Sequence, residues 1–192
     1  MPFGPEDLRT EGQIEKGKIG REMSRRKERL ILLGVFLFAL GMRGIYVYQI
    51  GDNPFFETPF GDPEYHDQWA LRVAEGDWLG DKVFFRAPLY PYLLGLTYRA
   101  FGHRYLVPRV LQAVLGSLSC LLIYLIGREV FDRRVGILSA GIASFYGPFI
   151  YFEGELLMEP LIVFLDLSLV LLLLRAHNLW GWLSGGLVLG LS

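Results

Sequence analysis

The sequence predicts an all-α integral membrane protein, with about four to five transmembrane helices and one or two interfacial helices in a long first outer loop. The chain has 192 residues, of which 52% are hydrophobic, and its mean hydropathy is +0.34. Charges concentrate in residues 1–29 and 51–86, and long apolar runs follow. Basic and acidic clusters also alternate along the chain, as they do at the two ends of successive spans. These three observations predict the fold class.

Residues 1–29 form a polar tail that we expect to be solvated and partly disordered. A basic cluster at 25–29 precedes the first apolar run directly. Lys and Arg beside a span stay on the cytoplasmic side. The tail is therefore predicted to be cytoplasmic, and the first helix, at about 30–50, runs outward. Arg43 would lie near its outer end, where a long side chain can reach the interface.

The outer loop at 51–104 is the polar part of the membrane domain. Its first section, 51–86, carries eight acidic and three basic residues. The apolar pattern over 64–76 predicts a short amphipathic helix at the membrane surface, with Gly76 as its stop. Residues 87–101 contain two prolines and are short for a span, so a second interfacial or half-buried helix is favoured.

The remaining apolar runs predict further crossings. They are 105–127, 135–152, 156–174 and a last segment at 178–192. The basic turn at 128–134 is predicted to lie on the cytoplasmic side of the membrane, and Glu153 to Glu155 marks a second outer loop. Because the sequence stops within an apolar segment, we interpret residues 30–192 as the N-terminal part of a longer, multi-pass protein of the plasma or inner membrane.

Composition excludes several other classes of function. The formal net charge is −1, and no basic patch points to nucleic acid. A single cysteine, Cys120, cannot form an intrachain disulfide framework. His66 and His103 lack metal-ligand spacing, so no metal site or cofactor is predicted. The sequence leaves open whether the protein requires a divalent metal.

Several acidic residues at helix starts or within spans have either a structural or a functional interpretation. Asp62 precedes a proline at the start of the surface helix, which suits either a helix cap or a general base. Glu159 also precedes a proline, at the start of a span. Asp166 follows seven residues later on the same helix face, where a carboxylate needs a buried partner or a function. Glu155 would share that face if the helix extended.

Four cations fall near the same outer boundary. Long cationic side chains often reach the interface from helix ends, and they also bind phosphate. The second interpretation predicts a phosphate site for a substrate that a lipid tail anchors in the membrane. These residues are Lys82, Arg86, Arg104 and Arg109.

Three stretches carry a resemblance to a known family. They read GDPEYHDQWALRVAEGDWL, FFRAPLYPYLLGLTYRAFG and RVLQAVLGSLSCLLIYLIGREVFDRRVGILSAG. Together they resemble the N-terminal part of the GT-C glycosyltransferases. They are most similar to bacterial members related to protein O-mannosyltransferases and lipid A aminoarabinose transferases. The resemblance covers about residues 30–192.

The resemblance implies transfer of a sugar from a polyprenyl-phosphate donor to a glycan, lipid or protein acceptor on the outer face of the membrane. Asp62 then corresponds to the family's acidic residue in the first loop, the general base, and Glu159 to a second acidic position. Arg86 lies in the loop that lines the site. The eukaryotic mannosyltransferases have an Asp-Glu pair where this chain has Asp62-Pro63, which leaves Glu64 and Asp67 as alternative catalytic residues.

Two other functions remain open from the sequence. Glu159 and Asp166 could lie on an ion or proton path, as in a transporter or channel subunit. The chain could also be an inactive, truncated scaffold. The first alternative makes the acids within spans essential, whereas the glycosyltransferase interpretation makes the 51–86 loop essential.

Overall fold

In the computed structural model, all the regular secondary structure of the described residues is helical. The structure describes residues 5–79 and 86–191, with side chains from residue 26 onwards. No strand occurs in these two stretches, so the predicted all-α class is confirmed. In chain order the helices are α1 Pro5–Ile50, α2 Pro54–Glu57, α3 Asp62–Glu75, α4 Leu89–Phe101, α5 Leu106–Val130, α6 Arg133–Phe145, α7 Gly147–Gly154, α8 Glu159–Arg175 and α9 Leu179–Leu191.

Two of these helices are long and apolar enough to cross a bilayer: Arg26–Ile50 within α1, and α5. The bent pair of α6 and α7 is a third candidate if it counts as a single span. Helices α8 and α9 have 17 and 13 residues, fewer than the roughly 20 that a crossing requires. The apolar helices identify a membrane protein, and the larger number of spans stays a prediction.

Most of the N-terminal tail lies within α1. The chain forms two compact units, Met1–Gly34 and Val35–Ser192, and the first contains the beginning of α1. Helix α1 starts at Pro5, so most of the predicted polar tail is helical, and its solvated, partly disordered character stays a prediction. The sequence explains the helix, because no proline follows until Pro54 and the tail is rich in Glu, Lys and Arg, which favour helix.

Helices α3 and α4 confirm the two short helices predicted in the outer loop. Gly76 ends α3 in the left-handed conformation, with φ of 103°, where glycine is favoured. The two helices pack closely at Gly95. A Cβ at that position would lie 2.8 Å from both the Ala70 carbonyl oxygen and the Val73 side chain. The pair is therefore a tight helical hairpin, and its position at a membrane surface stays a prediction.

The predicted uncharged span at 135–152 is broken into two helices. Helix α6 ends at Phe145, and α7 begins at Gly147 at an angle of 51° to it. Pro148 lies in the first turn of α7, where its missing N–H and its ring prevent the helix from continuing through. Helix α7 also contains Glu153, which the sequence had assigned to an outer loop. The chain between α7 and α8 is instead 155–158.

A buried ion pair connects α1 with α7. Arg43 donates from Nη2 to Glu153 Oε1 at 3.0 Å and from Nη1 to the Ala39 carbonyl oxygen at 3.1 Å, while its Nε also bonds to Glu153. Arg43 is 1% exposed and Glu153 5%. The expectation that Arg43 reaches the interface is therefore wrong. Gly116 of α5 provides the space, because a Cβ there would lie 2.0 Å from Glu153 Oε1.

Replacing Arg43 with Met should strongly destabilise the protein, because Glu153 would keep a buried charge without its partner. Loss of one member of a buried pair typically costs about 3–5 kcal/mol. The measurement is the free energy of unfolding in detergent micelles.

The matched control is Arg99→Met, since Arg99 is exposed at the end of α4; we expect a change within about 0.5 kcal/mol. The double variant Arg43→Met/Glu153→Met should recover most of the loss. Equal stability of Arg43→Met and Arg99→Met would contradict a structural role for the pair.

Candidate functional site

An ion pair lies at the start of α3. Arg86 donates from Nη2 to Asp62 Oδ1 at 2.7 Å, and its guanidinium lies 5.2 Å from the centre of the Tyr65 ring. Asp62 is the first residue of α3, and Gly61 occupies the cap position without a side-chain bond. The helix-cap interpretation of Asp62 is therefore wrong, because its carboxylate bonds to Arg86 instead.

The charge state of Asp62 follows from this contact. The hydrogen bond from Arg86 and its positive charge hold the pKa of the Asp62 carboxyl below its ordinary value. Asp62 is therefore ionised at neutral pH, and its side chain is 58% exposed. An accessible carboxylate that is already deprotonated can accept a proton from a hydroxyl group.

His66 is a buried neighbour of this pair. The residue is 1% exposed, and its Nδ1 lies 3.1 Å from the carbonyl oxygen of Leu156. Burial lowers the pKa of His66, and the hydrogen bond to the Leu156 carbonyl opposes that shift. The charge of Arg86 also lowers this pKa, while those of Asp62 and Glu159 raise it. The ring is therefore neutral at pH 7. From the sequence, His66 is a candidate only as a metal ligand, although its helical spacing from Asp62 is a signal that places the two residues on one face.

Glu159 reaches the same region from α8. It is the first residue of that helix, and its charge acts on both His66 and Arg86. Glu159 Oε2 and His66 Nε2 are buried and have no hydrogen-bond partner within residues 26–79 and 86–191. The site thus contains Asp62 and His66 of α3, Arg86 before α4, and Glu159 of α8.

Asp67 lies in a different environment from Asp62. It is 6% exposed and is bound by three side chains. Tyr98 Oη lies 2.6 Å and His103 Nε2 2.9 Å from its Oδ1, and Tyr105 Oη lies 3.2 Å from its Oδ2. These bonds connect α3 to α4 and to the turn before α5. Asp67 is therefore a structural anchor in this geometry.

Glu64, the other alternative, accepts a hydrogen bond from Gln68 Nε2 at 3.0 Å on the partly exposed side of α3. Neither alternative is bound to Arg86 as Asp62 is. Their catalytic roles stay predictions.

Of the other predicted phosphate ligands, Arg109 is 2% exposed and already bound. It donates from Nε to the Gly154 carbonyl oxygen at 2.7 Å and from Nη1 to that of Phe56 at 3.0 Å. This burial rules out the interfacial position considered for its side chain. Arg104 is exposed in the turn between α4 and α5, and Lys82 lies outside the described residues. The structure therefore brings one of the four cations, Arg86, to Asp62.

Glu155 does not share a helix face with Glu159 and Asp166. Glu155 follows the end of α7, and α8 begins at Glu159, so the helix does not extend back to Glu155. Asp166 lies on an exposed face of α8 rather than in the interior of the described chain. The three carboxylates consequently do not form a single buried path.

Two cavities adjoin the site. One of about 310 Å³ is lined by Glu159 and, mainly, by apolar residues of α7 and α8, including Phe149, Pro160 and Val163. Another of about 360 Å³ lies beside Arg109, Pro63 and Glu155. The described residues contain no group of three His, Cys, Asp or Glu side chains that could hold a metal ion. The site therefore combines polar groups with apolar volume.

The apolar helices of spanning length define an integral membrane protein. Residues 85–192 match a family model described as dolichyl-phosphate-mannose-protein mannosyltransferase. The match covers more than half of the chain, and the chain belongs to this family of GT-C-type membrane glycosyltransferases. The resemblance found in the sequence is confirmed. No curated protein and no solved structure matches the chain.

Tyr98→Phe should destabilise the protein, because it removes the closest hydroxyl donor to the buried Asp67. A hydrogen bond to a charged group contributes about 1.5–3 kcal/mol. The measurement is the free energy of unfolding in detergent. Tyr48→Phe is the matched control, since Tyr48 is 86% exposed. Equal effects of the two substitutions would show that the Asp67 contacts do not stabilise the fold.

Proposed function

We propose that the protein transfers a sugar from a polyprenyl-phosphate donor to an acceptor hydroxyl on the outer face of the membrane, with Asp62 as the general base. The observation that carries this proposal is the Asp62–Arg86 pair, which combines an ionised, accessible carboxylate with a phosphate-binding side chain. Membership of the mannosyltransferase family supports the reaction class.

The reaction is a single displacement at the anomeric carbon. Asp62 accepts the proton of the acceptor hydroxyl, and that oxygen forms a bond to the anomeric carbon as the bond between this carbon and the phosphate oxygen breaks. The configuration inverts, and polyprenyl phosphate leaves with the bonding electrons. A phosphate is a good leaving group at neutral pH, so a strong general acid is not required. Asp62 then releases its proton to water.

Arg86 provides the positive charge that stabilises the departing phosphate. Its guanidinium is part-exposed, with one nitrogen on Asp62, so other N–H groups remain for a phosphate oxygen. Arg104 is an exposed second candidate, and Lys82 belongs to the same predicted set. Arg109 is bound by two carbonyl oxygens and contributes most directly to holding the site together.

The lipid part of the donor needs an apolar surface beside the polar groups. The cavity of about 310 Å³ next to Glu159 is lined mainly by aromatic, proline and valine side chains. It can accept the first units of a polyprenyl chain. The outer-face position follows from the basic cluster at 25–29, which favours a cytoplasmic N-terminus.

Asp62→Asn in the full-length protein should reduce sugar transfer by at least about 100-fold, since general-base catalysis contributes roughly 10²–10⁴-fold. The assay follows radiolabelled mannose from polyprenyl phosphate mannose into acceptors of the native membrane. Protease accessibility checks membrane insertion, which should be unchanged.

Glu75→Gln is the control for this substitution, because it removes one exposed carboxylate from the same helix. Transfer should stay near the wild-type rate. If Asp62→Asn retains full activity, Asp62 is not the base.

In the pH profile of kcat/KM, Arg86→Met should move the acidic limb to higher pH. It should also lower the plateau value of kcat/KM. The base must be ionised, so activity is lost as the pH falls through the pKa of Asp62. Arg86 lowers that pKa, and its removal lets the pKa rise toward its ordinary value. The measurement is the pH profile of transfer.

Arg104→Met is the matched control, because Arg104 is exposed and not bound to Asp62. Its acidic limb should coincide with that of the wild type. A lower plateau without any shift in Arg86→Met would mean that Arg86 does not control the base.

A further inference from the structure

We propose that His66 Nε2 and Glu159 Oε2 bind hydrogen-bond donor groups, the hydroxyls or an amine, of the sugar that is transferred. His66 is then a substrate-binding residue that selects the sugar end of the donor. This inference rests on the proposed function and adds the binding of the sugar to it.

The tautomer of His66 follows from its hydrogen bond to the backbone of Leu156. A carbonyl oxygen only accepts hydrogen bonds, so the Nδ1 that lies 3.1 Å from Leu156 O carries the proton. In a neutral ring, Nε2 then has a free lone pair and can only accept. This atom is buried and has no partner among the described side chains and backbone.

Glu159 presents a second acceptor to the same region. Its Oε2 is also buried without a partner within the described part of the chain, and its charge acts on His66. Buried polar atoms in folded proteins almost always have a hydrogen-bond partner, and an unsatisfied one is costly. Two buried acceptors without a donor, whose residues interact electrostatically, therefore point to a ligand that supplies the donors.

The chemistry of the two acceptors restricts that ligand. A phosphate group is itself an anionic acceptor, so it is repelled by the Glu159 carboxylate and finds no donor on His66. Sugar hydroxyls and amines are donors and fit both atoms. Arg86 and Asp62 act electrostatically on the same histidine. The phosphate can therefore bind Arg86 while the attached sugar contacts His66 and Glu159.

Two substitutions of His66 distinguish the contributions of its two ring nitrogen atoms. The amide nitrogen of Asn occupies the position of Nδ1, so His66→Asn keeps the bond to Leu156 and removes the Nε2 acceptor. The amide of Gln reaches the position of Nε2, so His66→Gln keeps an acceptor there and loses the bond to Leu156. His177→Asn is the matched control, because His177 is exposed beyond α8.

The experiment measures binding to the purified full-length protein in detergent. The probes are short-chain polyprenyl phosphates carrying mannose, glucose or aminoarabinose, and polyprenyl phosphate without a sugar. For His66→Asn we expect about tenfold weaker binding of the sugar-bearing probe that the wild type prefers, the size expected for one lost hydrogen bond. Binding of sugar-free polyprenyl phosphate should not change. His66→Gln should retain most of the sugar-dependent affinity, and His177→Asn all of it.

Equal weakening of sugar-bearing and sugar-free probes in His66→Asn would assign His66 a structural role and overturn the inference. Unchanged binding would also overturn it, and would indicate that a water molecule occupies the two acceptors. Either result leaves the proposed function standing, since the wild type still binds the donor. Failure of the wild type to bind any of the probes would instead overturn the proposed function, and this inference with it.

Discussion

The buried ion pair between Arg43 and Glu153 determines where the end of α7 lies. Two opposite charges within apolar helices are stable only when paired and hydrogen bonded, so their positions depend strongly on each other. Arg43 belongs to α1, and the space for the carboxylate comes from Gly116 of α5. Helices α1, α5 and α7 thereby meet at one point.

The chain that follows Glu153 contacts α5 and α3 through its backbone, and His66 of the site is one of its partners. The Gly154 carbonyl oxygen accepts from Arg109, that of Glu155 accepts from Gln112 Nε2 at 2.6 Å, and that of Leu156 contacts His66. Each bond satisfies a carbonyl that is not in a helix ladder. Together they fix two helices to the same short segment, α5 through Arg109 and Gln112 and α3 through His66. Glu159 then starts α8 directly afterwards. The position of the site therefore depends on the end of α7.

The local features of the fold could be predicted from the sequence because they depend on neighbouring residues. Gly76 ends α3 as expected, the second helix ends before Gly102, and the long span at 105–127 corresponds to α5. The all-helical class followed from the apolar runs. The break before α7 was missed because Gly147-Pro148 lies inside a run without charges, where hydropathy alone indicates one continuous span.

The site could be predicted only in part, for a different reason. Asp62 and Arg86 were both named from the sequence, because an acidic loop and a cation beside an apolar stretch are visible locally. Their direct contact was not predicted, and neither was the pairing of Arg43 with Glu153 across 110 positions. Such contacts depend on how helices pack, which periodicity does not specify. Helical spacing places His66 on the same face as Asp62, but its unsatisfied nitrogen is visible only in three dimensions.

The three hydrogen bonds to Asp67 fix the rotation of α3 about its own axis. Successive residues of an α-helix are separated by about 100° of rotation and 1.5 Å of rise. Asp62 precedes Asp67 by five positions, so its direction is set as soon as Asp67 is bound. One residue inserted between them would rotate Asp62 by about 100° and shift it by about 1.5 Å, which would separate it from Arg86. The orientation of the Asp62 carboxylate is thus determined by the number of residues between Asp62 and Asp67. An insertion or deletion between them would alter the site even if every side chain in the site were kept.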